Sequence, residues 1–244
     1  MTKLSVNVNK IATLRNARGE DYPNLVKTAK DIIKFGAQGI TIHPRPDERH
    51  IKYYDAYDLK QNISTELNIE GNPSKKFINM VCEVKPDQVT LVPDESDAIT
   101  SNSGWDTVKN FDFLKDIVEE FKSNLIRVSI FIDPDFKMLE GAKKINADRV
   151  ELFTGPYAKQ FINDKSNAIN RYIDCSEIAN KIGMELNAGH DLNQQNLEFF
   201  KNNIVNLKEV SIGHALISES LYSGFESTIK SYLKILNWIC FTLK

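Results

Sequence analysis

The sequence predicts a closed (β/α)₈ barrel, an eight-stranded parallel barrel with extra short helices. Three observations carry that prediction. Eight short β-rich runs recur along the chain, stretches of helical periodicity lie between them, and 244 residues suit one barrel domain spanning 1–244. Strands alternating with helices argue for parallel pairing through right-handed crossovers, and closing the sheet removes both edges. An open doubly wound sheet is the alternative. It lacks the GxGxxG that would follow its first strand.

The predicted strands are Leu4–Asn9, Gly39–His43, Leu67–Glu70, Gln88–Val92, Arg127–Asp133, Arg149–Thr154, Met184–Ala188 and Glu209–Ile212. Several are rich in β-branched residues and end at Gly, Pro, Asn or Asp, which punctuate strands. Helical spacing is seen at Asn24–Phe35 and Phe111–Phe121, where apolar residues recur on one face. Ala168–Ile182 and Asn193–Ile204 behave similarly, and Ser218 opens one long final helix. After the fourth strand, the polar run DESDAITSNSGWD forms a long loop on the side where barrel active sites are built.

Composition narrows the function. Apolar residues make up 41%, enough for a sizeable core, and the formal charge of −2 excludes the global basic field of a nucleic-acid binder. Cys82, Cys175 and Cys240 are scattered without CxxC or Cys/His spacing, as expected for reduced thiols in a cytoplasmic protein with no metal site. Residues 1–9 lack the apolar run of a signal peptide, and no stretch approaches a membrane span.

Barrel catalysis is built from strand ends and the loops that follow them. Polar residues at those positions are Asn7, Asn9, Lys10, Arg15 and Arg18 after strand one, and His43, Arg45, Arg49 and His50 after strand two. Glu70, Thr100, Glu151, Asn187, His190, Gly213 and His214 follow from later strands. A single histidine at a strand end is often only a capping residue. Here all four histidines fall on one predicted rim, which favours function. Glu70 lies in an apolar run, LNIEG, where burial either pairs a carboxylate or raises its pKa for proton transfer. The arginines suit bidentate phosphate binding, and the turn in SIGHALISES sets a glycine before a helix start, a second anion site. Two phosphate regions and several acid/base groups point to proton shuttling on phosphorylated carbonyl compounds.

The stretches NKIATLRNARG, GITIHPRPDERHI, LNIEG, KPDQVTLVPD, NAGHDL and IGHALI, in this order and spacing, resemble the PdxJ family of pyridoxine 5′-phosphate synthases from about Leu4 to Leu236. The resemblance implies a barrel that condenses 3-amino-2-oxopropyl phosphate with 1-deoxy-D-xylulose 5-phosphate. It implies no organic cofactor and an octameric assembly. It assigns acid/base roles to His43 and Glu70 and proton donation to His190. Arg45, His50 and Thr100 match positions that hold deoxyxylulose phosphate; Asn7, Arg18, Gly213 and His214 match those for the aminoketone phosphate. Asn9, Lys10 and Asp191 depart from the Asp-His pair and the glycine common in the family, though they stay in the expected substrate-binding set. The competing readings are another sugar-phosphate barrel, such as an epimerase or aldolase, and a weakened non-catalytic paralogue.

Overall fold

The computed structural model describes residues 1–94 and 101–237. Eight parallel strands close into a barrel in chain order: β1 (Lys3–Asn7), β2 (Gly39–Ile42), β3 (Glu66–Gly71), β4 (Gln88–Leu91), β5 (Arg127–Ile132), β6 (Arg149–Leu152), β7 (Glu185–Ala188) and β8 (Leu207–Ile212), with β8 paired back onto β1. Each predicted strand has its counterpart within a few residues. The first is shorter than expected, because Asn9 already begins a helix.

The helices are α1 (Asn9–Asn16), α2 (Leu25–Lys34), α3 (Tyr53–Asn62), α4 (Lys75–Val84), α5 (Phe111–Ser123), α6 (Phe136–Lys144), α7 (Gly155–Phe161), α8 (Lys165–Ile182), α9 (Leu197–Asn203), α10 (His214–Ser223) and α11 (Phe225–Asn237). The long final helix expected from Ser218 is two helices. Gly224 separates them at φ 74°, a left-handed backbone that glycine adopts without a Cβ penalty.

Strand side chains alternate between two unlike faces. Leu4, Val6, Ile40, Ile42, Leu67 and Ile69 are fully buried in the apolar layer shared with the helices. The alternate residues are polar and bond to one another. Ser5 and Thr41 share a hydroxyl hydrogen bond of 2.7 Å, and Thr90 Oγ1 donates to Asn68 Oδ1 at 3.0 Å. Gln88 Oε1 accepts from Arg127 Nε at 2.9 Å, from Arg149 Nη1 at 3.3 Å, and from Asn187 Nδ2 of β7 at 3.5 Å. Barrel interiors are usually filled with branched apolar side chains. Here a polar stack fills that space, much of it hydrogen-bonded as burial favours, although Gln88 Nε2, Ser129 Oγ and Asn187 Oδ1 are buried without a protein partner. No helix of the described residues is long and apolar enough to cross a membrane.

Candidate active site

A cavity of about 780 Å³ opens at the C-terminal ends of the strands. It brings together Asn7, Asn9, Lys10, His43, Arg45, His50, Glu70, His190, Asp191, Gly213 and His214, which are eleven of the expected site residues. A larger open groove of about 900 Å³ along α2, α10 and α11 has none of them. Thr100 lies outside the described residues. Arg18 is exposed beyond α1 and is not among the residues lining the cavity.

His43 stands one residue past β2. Its backbone N–H donates to Asn9 Oδ1 at 2.9 Å, while the Asn9 N–H donates to Asn7 Oδ1 at 3.0 Å. The start of α1 thus fixes the turn that carries His43. An amide oxygen suffices for that bond, so Asn9 does this work without the charge of an aspartate. Burial holds the His43 pKa well below the usual imidazole range, reinforced by Arg45, His50 and His190. Its ring is neutral at pH 7 and can accept a proton.

Glu70, on β3, is pushed up to about 7 by burial. Asp94 and Glu209 add to the rise, while His190 and a Ser211 hydrogen bond oppose it. A carboxyl poised there can both give and take protons near neutrality. Glu151, on β6, lines the same cavity, and burial followed by Glu70 and Glu209 raises it well above the carboxylate range. Like carboxyls confined together do not all ionise.

His190 follows β7. Burial opposes its charge, but the hydrogen bond and charge of Asp191 prevail and raise its pKa. His190 Nδ1 lies 2.8 Å from Asp191 Oδ2. The Asp191 carboxylate therefore turns onto the histidine. Phe153 meets the His190 ring edge-on at 5.6 Å, and Phe131 lies 6.5 Å away.

The phosphate-suited groups divide into two regions. In one, His50 Nδ1 accepts the Ile51 N–H at 2.9 Å. Burial lowers His50 to about 4, so it is neutral, and the accepted bond places its proton on Nε2 as a donor. Arg45 Nη2 is held by Asp94 Oδ2 at 2.7 Å, and Ser101 Oγ donates to the same oxygen at 2.7 Å. In the other region, Gly213 caps α10 and His214 begins it. The first-turn N–H groups of a helix have no intrahelical acceptor, which makes this end an anion site. A Cβ on Gly213 would lie 3.0 Å from Asn7 Cβ, so glycine lets the β8 turn close on β1.

Two arginines do not serve as the sequence suggests. Arg15 is buried in α1 and grips Asp55 with bonds of 2.6 and 2.9 Å, while Asp55 also accepts the Lys52 N–H at 2.7 Å. Its Nη2 and the Asn16 amide both reach the His50 carbonyl, at 3.4 and 2.7 Å. Arg15 thus braces the His50 loop. Arg49 pairs with Asp47 at 2.7 Å and does not line the cavity. Conversely, Phe131, Phe153, Lys159, Ser101 and Ser211 line it and are absent from the expected set. Period-two alternation beyond the polar strand residues would have found Phe131, Phe153 and Ser211. Nothing local marks Lys159.

Fold and cavity together define an acid/base barrel enzyme for phosphorylated small molecules. A family model described as pyridoxal phosphate biosynthesis protein PdxJ matches residues 4–238. The pyridoxine 5′-phosphate synthase of Christiangramia forsetii is 60% identical over 236 residues, covering 97% of this chain and 100% of its own. That of Flavobacterium johnsoniae is also 60% identical, covering 96% and 99%. The chain belongs to the PdxJ family, the pyridoxine 5′-phosphate synthases of vitamin B6 biosynthesis. At the level of fold alone, it resembles Vibrio cholerae 3-keto-L-gulonate-6-phosphate decarboxylase at 9% identity and TM-score 0.64, covering 96% and 97%. It also resembles monomers of Thermotoga maritima phosphoribosylanthranilate isomerase at 14% and 0.60, covering 98% and 100%.

Proposed function

We propose that this chain condenses 3-amino-2-oxopropyl phosphate with 1-deoxy-D-xylulose 5-phosphate to form pyridoxine 5′-phosphate, inorganic phosphate and water. In this reading it works without an organic cofactor, in the cytoplasm, as an octamer of single-domain subunits spanning 1–244. The observation that supports it most is the meeting of His43, Glu70 and His190 in one cavity with three different proton affinities. Imine formation, dehydration and ring closure each need a proton moved in a different direction. Neutral His43 takes a proton from the substrate, Glu70 relays in both directions, and His190, whose protonated form Asp191 favours, delivers a proton to a departing oxygen. Arg45, the His50 Nε2–H and Thr100 hold the deoxyxylulose phosphate. The α10 turn at Gly213 and His214, with Asn7 and Arg18, holds the aminoketone phosphate.

The paralogue reading rests on residues 9, 10 and 191. Asn9 and Asp191 now have contacts that serve the catalytic histidines, which weakens it. An epimerase or aldolase would be marked by a strand-end lysine for an imine or by a metal set; Lys10 and Lys159, which line the cavity, sit on α1 and α7, and among the described residues no three His, Cys, Asp or Glu side chains are grouped to hold a metal. Incubating the pure protein with both phosphates should yield pyridoxine 5′-phosphate by chromatography. A folded protein giving no product at high enzyme concentration refutes the proposal.

A further inference from the structure

The pairing of His190 with Asp191 has a geometry that a chance surface pair does not need. His190 holds φ at 30°, in the left-handed region that a residue with a Cβ enters only when its surroundings impose it. The turn is closed behind it: the Leu192 N–H donates to the Gly189 carbonyl at 2.9 Å, and Asn196 Nδ2 donates to the Asp191 carbonyl at 3.2 Å. Phe153 and Phe131 confine the ring. A Cβ built on Gly155 at the start of α7 would lie 2.4 Å from Phe153 Cζ and 3.2 Å from Asp191 Oδ2, so glycine there makes room first for the Phe153 ring that packs on His190 and, less strictly, for the carboxylate.

From this arrangement we infer that Asp191 is a positioning residue for His190. It holds the Nδ1–H, fixes the ring orientation and stabilises the imidazolium, so that Nε2 is the nitrogen serving the cavity. A carboxylate bonded to one imidazole nitrogen sets the tautomer and raises the basicity of the other. The charged and titratable groups around His190 are Asp191 on its own turn, Glu70 from β3, Asp94 after β4 and His43 after β2. His214 faces Asp191 from the start of α10. The carboxylates Glu70 and Asp94 favour the same cation, and Asp191 is hydrogen-bonded to the ring at Nδ1, 2.8 Å away.

The inference rests on the reading of His190 as proton donor, and the test separates the two. His190 is titrated by NMR in ¹³C,¹⁵N-histidine-labelled protein, with His190→Gln supplying the assignment. In Asp191→Asn, its titration should move about one pH unit toward acid, a roughly tenfold loss of proton affinity. The alkaline limb of kcat should move with it, while KM for both phosphates changes less than kcat, and Asp191→Glu should restore much of both. Circular dichroism establishes that the variants fold. An unchanged His190 titration in folded Asp191→Asn overturns the inference. A lowered titration with an unmoved rate profile upholds the pairing and overturns the donor role of His190 instead.

Discussion

Identical side chains here hold protons with different strength because their surroundings differ. His43, His50 and His190 share one side chain. Burial and neighbouring cations hold the first two well below the usual imidazole range, while Asp191 raises the third above it against the pull of burial. Strand position alone reads all four histidines alike, and only the family resemblance set His43 and His190 apart as proton carriers; the burial and the Asp191 contact that separate their proton affinities needed the fold. The raised Glu70 pKa carries a stability consequence. The folded protein keeps that proton up to about pH 7, whereas the unfolded chain releases it around the ordinary carboxylate value of 4.5. The native state therefore binds more protons between those values, and the group's contribution to stability falls as pH rises through them. Glu70→Gln should be more stable than the parent at pH 8, by up to about 3 kcal/mol, and show little advantage at pH 4. Urea denaturation at the two pH values measures this. Arg45→Lys keeps the charge beside Asp94 but loses the guanidinium fork. It should raise KM for deoxyxylulose phosphate, since a charge-assisted hydrogen bond is worth about 1.5–3 kcal/mol, while leaving KM for the aminoketone phosphate little changed. Steady-state kinetics with each substrate varied decides it.

The elements that build the site were legible to different degrees. Strand ends announced themselves through turn residues, so each of the eight was found within a few positions. Helix α1 was hidden because its third buried position is Arg15 rather than an apolar residue, which breaks the periodicity. Read as loop, Arg15 looked like a phosphate ligand; as helix it faces Asp55 with side-chain exposures of 6% and 4%. Removing one partner of such a buried pair leaves an uncompensated charge. Arg15→Ala should lose about 3–5 kcal/mol of stability in urea titration. It should also raise KM for deoxyxylulose phosphate through the loosened His50 loop. The α10 turn makes the complementary prediction. Gly213→Val must crowd Asn7, so KM for the aminoketone phosphate should rise while KM for deoxyxylulose phosphate holds. The break at Gly224 escaped the sequence because the apolar spacing continues across it, from Leu221 to Phe225 and Ile229.

At the scale of the whole molecule, closure of the sheet explains why residues from position 7 to position 214 share one cavity. The alternation of each strand sends apolar side chains to the helices and polar ones to the axis, with the groups proposed as catalytic at the top of that polar stack. Barrel closure was readable from the count and spacing of strands. The polar axis was not, because it depends on which face of each strand turns inward, and only three-dimensional pairing such as Asn187 with Gln88 across the barrel reveals it. In the proposed reaction this top layer moves the protons of ring closure through Glu70. The most direct test compares pyridoxine 5′-phosphate formation by the parent and by Glu70→Gln at saturating concentrations of both phosphates near pH 7. Turnover should be at least about 100-fold lower in the variant, with both substrates still bound. Equal turnover in the two proteins contradicts it.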